Sequence, residues 1–470
     1  MRVAVVGGGV IGGGWAARFL LAGHDVALHD PDPEAGRKVA AVLDGARRAL
    51  PMLYDVALPP EGRLTVEPRL ASAVAGADWV QESVPERLDL KRAVLAEVQA
   101  AGDAPVGSST SGFTPSELCA GLPRPGRVVV AHPFNPVYLL PLVEVVGHAG
   151  TDPAVLDGAE AMLRGLGMHP LRVRAELPAH LADRLLEAVW REALWMIRDG
   201  QATTAEVDDA IRMGFGLRWA QMGLFETYRI AGGEAGMRHF VGQFGPALHW
   251  PWSRLTDVPE MDDALVDRIA AQSDAQSGLL DLRALERLRD DNLVAILRGL
   301  KARGAAAGAV IAAHEAALTP PPPEGRTMRT QDRTVPVDWT DYNGHMNESR
   351  YGQVVSDASE GVLRAVGTPP EETDATGLTW FTVETRISYR HETRAGERIV
   401  VDSRIAGAEG RKMRLAHEMR RAGDGTLLAE AEQLLVHVDL ATRRSSDPPA
   451  AVAAAIRARL DAPPGGGGGA

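Results

Sequence analysis

The chain has 470 residues, enough for about three domains of ordinary size with a large buried core. Hydrophobic residues make up 45% and charged residues 24% of the chain, as in a water-soluble globular protein. The net charge of −12 argues against nucleic acid or an anionic membrane surface as the main partner.

Short β-rich runs alternate with helical stretches over the first part of the chain. The predicted strands are Arg2–Val6, Asp25–His29, Trp79–Ser83, Pro105–Ser108 and Arg127–Ala131. Strands that alternate with helices in this way indicate a parallel sheet with helices on both faces, which is an α/β fold.

A glycine-rich motif follows the first predicted strand directly. Gly7, Gly9 and Gly12 have the spacing G-x-G-x-x-G, and the helical stretch Trp15–Leu21 comes after them. Glycines so placed permit a tight turn, a close approach of the backbone to a pyrophosphate and close packing of the helix. The residues expected to contact a dinucleotide here are Gly7, Gly8, Gly9, Val10, Ile11 and Gly12.

Asp30 ends the second predicted strand, where a carboxylate can accept hydrogen bonds from the ribose diol of the adenosine. The same carboxylate would repel a 2′-phosphate, so the sequence predicts NAD rather than NADP. A glycine motif alone is a weak signal. Motif, strand, helix and acidic residue together predict a Rossmann-type site specifically.

Three polar motifs follow around the fourth and fifth predicted strands: S-S-T-S-G (108–112), A-H-P-F-N-P (131–136) and L-V-E-V-V (142–146). With these motifs, residues 1–300 resemble the 3-hydroxyacyl-CoA dehydrogenase superfamily. The resemblance implies that His132 is the general base, that Glu144 pairs with it, and that Ser111 binds the substrate hydroxyl. Glu86 matches the loop on the nicotinamide side of the cofactor in that family.

These residue types suit the oxidation of a secondary alcohol. The substrate carbon releases hydride readily only as its hydroxyl loses a proton, and a neutral imidazole can take that proton near neutral pH. An adjacent carboxylate stabilises the imidazolium and fixes its tautomer. A lone histidine before proline would more often be structural, but the motifs in register make His132, Glu144 and Ser111 catalytic candidates.

From about residue 178 the pattern becomes helical. Apolar residues recur at helical spacing from Leu181 to Ile197, and Gly200 ends the run. Thr203 and Glu206 form a capping-box pattern, which predicts the start of the next helix.

The helical region also carries the residues on which the substrate prediction depends. Fatty-acyl members of the superfamily have asparagine where this chain has Asp183, and a carboxylate there favours a cationic substrate. An exposed Asp–Arg pair at a helix start is the alternative. Arg191 or Arg218 is a candidate partner for a substrate carboxylate.

The helical region is rich in tryptophan, and its stretch Gly214–Tyr228, which contains Trp219, is similar to that of the L-carnitine 3-dehydrogenase branch of the superfamily. This resemblance implies a small 3-hydroxy acid that carries a trimethylammonium group. Aromatic faces bind such cations, which makes Trp219 a candidate substrate contact. Packing in the core is the alternative for most of these aromatic residues.

Thr319–Gly325 contains four consecutive prolines, which exclude a helix and predict a stiff linker. Beyond it, the helical pattern Ser349–Val366 precedes a series of β-rich runs, with a hairpin turn at Gly423–Gly425. The predicted strands are Leu378–Tyr389, Arg398–Ile405, Lys412–Arg420 and Leu427–Val438.

The segment Val337–Tyr351 resembles the opening motif of hot-dog acyl-CoA thioesterases, a likeness that covers about residues 327–445. It implies an α+β fold in which an antiparallel sheet curls around a long helix. Asp341 takes the place of the acid that orients or activates water, and N–H groups at the helix start polarise the thioester carbonyl. Trp339 replaces the first acid of the usual pattern D-x-D-x-x-G-H, so Asn343 and His345 also stay candidates. A turn of polar caps is the alternative.

Five segments are therefore predicted: an α/β Rossmann domain (1–177), an all-α dehydrogenase C-terminal domain (178–318), a Pro-rich linker (319–326), an α+β hot-dog domain (327–445) and a disordered tail (446–470). The resemblances imply NAD-dependent oxidation of L-carnitine to 3-dehydrocarnitine, and hydrolysis of betainyl-CoA to glycine betaine. One alternative is a 3-hydroxyacyl-CoA dehydrogenase fused to a general acyl-CoA thioesterase. The other is an NAD-binding protein without turnover.

The expected partners are small molecules, carnitine and an acyl-CoA, and a second copy of the chain, since both folds usually dimerise. No metal, nucleic acid or membrane is expected. Cys119 is the single cysteine, so no intrachain disulfide can form. With no signal-peptide pattern and no apolar run of about 18 residues, the sequence favours the cytoplasm.

Overall fold

A computed structural model describes residues 1–231, 240, 242, 252–254, 260, 262–277, 279 and 281–460. The chain divides into two compact units. The first consists of Met1–Arg47 and Pro59–His314, and the second of Arg48–Leu58 and Glu315–Ala470.

An eight-stranded sheet forms the centre of the first unit, in the order β3-β2-β1-β4-β5-β6-β7-β8. The strands are β1 Arg2–Val6, β2 Asp25–His29, β3 Leu64–Val66, β4 Trp79–Glu82, β5 Val106–Ser108, β6 Val128–Pro133, β7 Leu142–Val146 and β8 His169–Arg172. Neighbouring strands run parallel, except that β6 and β7 are antiparallel. The order reverses between β1 and β4, so the carboxyl ends of these strands flank the crevice where such sheets bind ligands.

Helices connect these strands, as the alternating pattern predicts. They are α1 Val10–Leu21, α2 Ala35–Ala49, α3 Leu70–Val74, α4 Leu88–Ala101, α5 Pro115–Cys119 and α6 Pro153–Gly165. Every residue of β6 is buried, because a parallel sheet is covered on both faces. The α/β prediction is confirmed, whereas the antiparallel β7 was not foreseen.

The helical region begins where the sequence predicts, and it belongs to the first unit except for the end of its last helix, after His314. Its described helices are α7 Ala182–Arg198, α8 Thr204–Ala210, a π-helical stretch Ile211–Phe215, α9 Gly216–Ala231, α10 Asp263–Ser277, α11 Leu282–Ala302 and α12 Ala306–Leu318. Gly200 ends α7 with a φ of +69°, and Thr203 and Glu206 form the predicted capping box of α8.

The second unit is an antiparallel sheet packed on a long helix, as the hot-dog resemblance implies. The sheet order is β10-β13-β12-β11-β9, and β14 pairs with β13. The elements are β9 Met328–Thr334, α13 Glu348–Ala365, α14 Thr373–Thr376, β10 Leu378–Tyr389, β11 Arg398–Glu409, β12 Lys412–Arg421, β13 Leu427–Asp439, β14 Arg444–Ser445 and α15 Ala450–Arg459. The core between helix and sheet contains Tyr351, Val354 and Val355 from α13, and Ile399 and Val401 from β11.

Two details of the predicted domain division are wrong. The tail was expected to be disordered from residue 446, but α15 forms because Val452 and Ile456 lie one turn apart and are buried with Ile405 and Met413. Residues 461–470, which include the glycine run, lie outside the described residues.

The second correction concerns the segment Arg48–Leu58, which the sequence assigns to the Rossmann domain. It belongs to the second unit, because Asp55 pairs with the buried guanidinium of Arg333, which also lies 2.7 Å from Asp357. Such a partner, 278 positions away in the chain, leaves no local sequence pattern. Among the described residues, no helix is both long and apolar enough to cross a membrane.

Candidate active sites

The candidate residues that the Rossmann domain contributes to the dehydrogenase site lie at one edge of the eight-stranded sheet. The glycine loop follows β1, Asp30 follows β2, Glu86 follows β4, and residues 109–112 follow β5. His132 is the second-last residue of β6. Because β1, β2, β4, β5 and β6 run parallel, their carboxyl ends bring these groups together.

The glycine loop has the shape that a pyrophosphate requires. Gly7 has a φ of +103°, and a Cβ on Gly12 would lie 1.8 Å from the carbonyl oxygen of Gly7, so neither position tolerates a side chain. A Cβ on Gly9 would meet nothing within 4 Å, which leaves open space in front of α1. No side chain caps the first turn of α1, which contains Val10 and Ile11, so its N–H groups can bind phosphate oxygens.

The Asp30 carboxylate is held beside this loop. One oxygen accepts a hydrogen bond from the Gly8 N–H at 2.6 Å, and the other accepts from the Asp32 N–H at 2.7 Å. This is the position from which a carboxylate can receive the hydroxyls of an adenosine ribose. The residues present therefore fit NAD.

Replacing Asp30 with serine is expected to lower kcat/KM for NAD by about tenfold or more and to raise kcat/KM for NADP, because the ribose diol loses its charged acceptor and a 2′-phosphate loses its repulsion. Initial rates with each cofactor measure the effect. Asp32→Asn, which changes the neighbouring exposed carboxylate, serves as the control. Equal use of both cofactors by the wild-type enzyme would refute the role of Asp30.

His132 and Glu144 form a cross-strand pair. They lie opposite each other in the antiparallel ladder of β6 and β7, with His132 Nδ1 and a Glu144 carboxylate oxygen 3.0 Å apart. The second oxygen of the fully buried Glu144 accepts the N–H groups of Leu181 and Ala182 at 2.8 and 2.9 Å. The antiparallel pairing of β6 with β7 therefore brings His132 into contact with Glu144, 12 positions later in the chain.

The charge on Glu144 and its contact with His132 favour His132 as the group that accepts a proton. Burial raises the pKa of Glu144, but the hydrogen bond from His132, with those from Ala182 and Leu181, outweighs burial and keeps the pKa below its ordinary value. An ionised carboxylate only accepts, so His132 Nδ1 carries the hydrogen. The other ring nitrogen, Nε2, is left with a lone pair that can take a proton from a substrate hydroxyl.

Glu86 fixes the loop that contains Ser111. One of its oxygens accepts the Thr110 hydroxyl and, at 3.0 Å, the Gly112 N–H, so the residues on both sides of Ser111 are held. The other oxygen lies 3.3 Å from the ammonium of the buried Lys91. The Ser111 hydroxyl makes no hydrogen bond to another described residue, which leaves it available to a substrate.

Sequence reasoning missed Lys91 and His180. The His180 ring lies 5.6 Å, between centroids, from that of His132 and is fully buried. The one available signal was its place three residues before Asp183, at the start of the helical region. A single histidine there cannot be distinguished from a structural one by sequence.

Asp183 lies close enough to His132 and Glu144 to interact with their charges. Burial raises the pKa of its carboxyl, and the nearby His132 partly offsets this. In contrast, no hydrogen bond, ion pair or ring contact between described residues joins Arg191 or Trp219 to His132 or Asp183. Trp219 instead packs on Phe215, with the ring centroids 4.6 Å apart.

The candidate thioesterase residues lie in the loop that leads into α13. One oxygen of the Asp341 carboxylate accepts the N–H groups of Asn343 at 2.8 Å and His345 at 3.4 Å. Its backbone N–H donates to the His345 carbonyl at 2.9 Å. Its second carboxylate oxygen makes no hydrogen bond to any described residue. Asp341 therefore closes the loop and still presents one free oxygen.

Neither of the other two candidates, Asn343 and His345, makes a side-chain hydrogen bond to the free oxygen of Asp341. The Asn343 side chain is exposed, whereas His345 Nε2 lies 3.1 Å from both Glu392 and Arg394. Trp339, which replaces the first acid of the usual motif, is buried in the core. The structure thus groups His345 with surface charges and not with the free oxygen of Asp341.

Three family models match the chain. The 3-hydroxyacyl-CoA dehydrogenase NAD-binding domain matches residues 2–176, and the C-terminal domain of the same family matches residues 180–266. The thioesterase-like superfamily matches residues 335–456. A solved structure of 5-formyl-3-hydroxy-2-methylpyridine 4-carboxylic acid 5-dehydrogenase, an NAD-dependent dismutase, is 27% identical with a TM-score of 0.54 and covers 64% of this chain and 98% of its own.

One curated relative matches nearly the whole chain, and another matches about two thirds of it. The L-carnitine dehydrogenase/betainyl-CoA thioesterase of Ruegeria pomeroyi is 55% identical over 462 residues, which is 96% of this chain and 94% of the relative. The L-carnitine dehydrogenase of Mesorhizobium japonicum is 57% identical over 316 residues, 66% of this chain and 87% of the relative. The chain therefore belongs to the family of two-part proteins that join an L-carnitine dehydrogenase of the 3-hydroxyacyl-CoA dehydrogenase type to a betainyl-CoA thioesterase.

Proposed function

We propose that the chain catalyses two reactions: the NAD-dependent oxidation of L-carnitine to 3-dehydrocarnitine, and the hydrolysis of betainyl-CoA to glycine betaine and CoA. The observation that carries the proposal is the buried His132–Glu144 pair beside Asp183, at the sheet edge that holds the dinucleotide loop. The names of relatives at 47–55% identity over nearly the whole chain support the same pair of reactions.

In the dehydrogenase reaction, NAD held by the glycine loop and Asp30 would supply the acceptor for the hydride that leaves C3 of the substrate. Ser111 holds the substrate hydroxyl, and His132 Nε2 takes its proton. Glu144 stabilises the imidazolium that forms, because its carboxylate is ionised and in direct contact with Nδ1–H. Glu86 keeps the Ser111 loop in place during the reaction.

Asp183 supplies the charge that selects a trimethylammonium substrate. Its carboxylate is half-buried and close enough to His132 for the two charges to interact. A cation beside it would stabilise its ionised form, whereas the phosphates of an acyl-CoA would be repelled. This favours a small cationic hydroxy acid over 3-hydroxyacyl-CoA.

Asp183→Asn is expected to raise KM for L-carnitine about tenfold, which corresponds to ~1.4 kcal/mol of lost ion-pair energy, while KM for NAD stays unchanged. The reason is that asparagine keeps the size of the side chain and removes its charge. KM for 3-hydroxybutyrate, which has no ammonium group, provides the comparison. If both substrates lose affinity equally, Asp183 has a structural role and does not select the cation.

In the thioesterase reaction, the free oxygen of Asp341 takes a proton from water, whose oxygen attacks the thioester carbonyl. The N–H groups at the start of α13 polarise that carbonyl. The C–S bond then breaks, and the proton passes to the CoA thiolate. Glycine betaine and CoA are the products.

The chain forms a homodimer through its helical region in this proposal. The apolar face that the sequence predicts for α7 is exposed, with Leu185, Leu186 and Trp190 at 63%, 55% and 57% exposure. Such a patch on a helix is typical of a surface that a protein partner covers. We also propose that the protein is cytoplasmic and that the predicted domain boundaries hold elsewhere along the chain.

The substrate assignment is tested by NADH formation from L-carnitine and from 3-hydroxybutyryl-CoA under identical conditions. We expect turnover of carnitine to be at least about a hundredfold faster than that of 3-hydroxybutyryl-CoA at low substrate concentration, because one charged contact and the exclusion of CoA can give selectivity of this size. Faster oxidation of the acyl-CoA would favour the alternative of a fatty-acyl enzyme.

A further inference from the structure

A short segment before α7 has an unusual backbone conformation. Ala179 and His180 both have left-handed φ angles, +60° and +49°. Residues other than glycine adopt this region rarely and at a cost of about 1 kcal/mol or more each. Such a conformation persists only where surrounding contacts impose it, so these two residues are held by specific interactions.

Those interactions join the two halves of the dehydrogenase site. The Ala179 N–H donates to the Gly112 carbonyl at 3.2 Å, and His180 Nε2 lies 3.2 Å from the Thr110 carbonyl. The next two N–H groups, of residues 181 and 182, both bind Glu144. One segment therefore ties the loop of Ser111 to the carboxylate that supports His132.

The hydrogen bonds of His180 define its tautomer. A carbonyl oxygen only accepts, so Nε2 carries the hydrogen that is donated to Thr110. Burial lowers the pKa of His180, the hydrogen bond to Thr110 opposes this, and the nearby His132 lowers it further. Glu144 and Asp183 act in the opposite direction, but the net shift keeps the ring neutral at neutral pH. Nδ1 therefore holds a lone pair.

That lone pair is unsatisfied. Nδ1 of His180 is buried and has no hydrogen-bond partner among the described residues. A buried acceptor without a partner costs about 1–3 kcal/mol. The cost is explained if an O–H donor occupies the site when the enzyme works.

We propose that His180 is a positioning residue of the dehydrogenase: its Nε2–H holds the Ser111 loop against the His132–Glu144 pair, and its Nδ1 accepts a hydrogen bond from an O–H group bound in the active site. The O–H group belongs either to a bound water or to the substrate. This inference rests on the proposed dehydrogenase function and adds a residue to it.

Three variants of the full-length chain separate the two roles. His180→Gln keeps an N–H donor within reach of Thr110 and removes the acceptor from the position of Nδ1. His180→Asn keeps a polar atom near the position of Nδ1, tolerates the left-handed backbone and loses the contact with Thr110. His180→Phe removes both. The exposed His169, on β8, gives the matched control His169→Phe.

We expect His180→Phe to lower kcat for carnitine oxidation about tenfold or more, with the affinity for NAD and the thioesterase rate unchanged. The deuterium isotope effect on kcat, measured with substrate deuterated at C3, should rise because hydride transfer becomes slower. His180→Gln should recover part of kcat. An increase in KM for carnitine in His180→Gln, relative to the wild type, identifies the substrate as the O–H donor. An unchanged KM identifies a water.

The proposal is overturned if His180→Phe and His180→Gln match the wild type in kcat, KM and isotope effect. It is also overturned if their losses follow a fall in Tm that reduces both activities together, since this is the mark of a structural role. If His180→Phe does not fold, the pair Gln and Asn decides the question. Should the wild type oxidise another 3-hydroxy acid instead of carnitine, the substrate assignment fails, and the same comparison on that acid still tests His180.

Discussion

Replacing His132 with glutamine will reduce NADH formation from L-carnitine by about 10²–10⁴-fold, the usual contribution of a general base. Glutamine fills a similar volume and can donate an N–H, but it cannot take a proton from the substrate hydroxyl. NAD affinity should stay near the wild-type value, because the glycine loop and Asp30 are unchanged. Initial rates measure the first quantity, and quenching of protein fluorescence by the cofactor measures the second.

Two controls accompany this variant. The thioesterase rate of the same preparation shows that the chain is folded. Glu144→Gln removes the charge that stabilises the imidazolium and leaves the base present, so its loss of kcat should be smaller than that of His132→Gln. A wild-type turnover rate in His132→Gln would show that another group is the base.

Replacing Asp341 with asparagine will lower the release of thiol from betainyl-CoA by about a hundredfold or more, while carnitine oxidation continues at the wild-type rate. The amide oxygen of asparagine can still accept the N–H groups of Asn343 and His345, so the loop keeps its shape. What is lost is the carboxylate oxygen that takes a proton from water. A thiol-trapping assay measures the rate.

Asn343→Ala and His345→Gln complete the comparison, since both side chains are candidates from the sequence motif. We expect Asn343→Ala to change the rate least, because its side chain is exposed. A larger loss in His345→Gln than in Asp341→Asn would transfer the catalytic role to the histidine and its neighbours Glu392 and Arg394.

The parts of the fold that the sequence predicts are those that depend on local patterns. The glycine spacing, the apolar strands and the capping box at Thr203 all specify their own structure within a few residues. The pair His132 and Glu144 is assigned by family resemblance alone, because a separation of 12 positions in the sequence does not reveal an antiparallel pairing. The structure supplies the physical reason for their contact.

The features that the sequence did not predict depend on distant partners. The position of His180 depends on the carbonyl of Thr110, 70 positions earlier, and the placement of Arg48–Leu58 depends on Arg333 in the second unit. The burial of α15 depends on Ile405 and Met413, in β11 and β12. None of these partners is part of a local sequence pattern. For this reason the composition near the C-terminus predicts disorder where α15 forms, and the sequence assigns Arg48–Leu58 to the Rossmann domain.

A paired assay on one preparation of the intact chain tests whether this chain catalyses both reactions. NADH formation is measured with L-carnitine and NAD, and thiol release is measured with betainyl-CoA and with a neutral acyl-CoA of similar size. We expect both activities, with betainyl-CoA hydrolysed faster than the neutral thioester. The absence of either activity with these substrates, or equal hydrolysis of the two thioesters, would contradict this expectation.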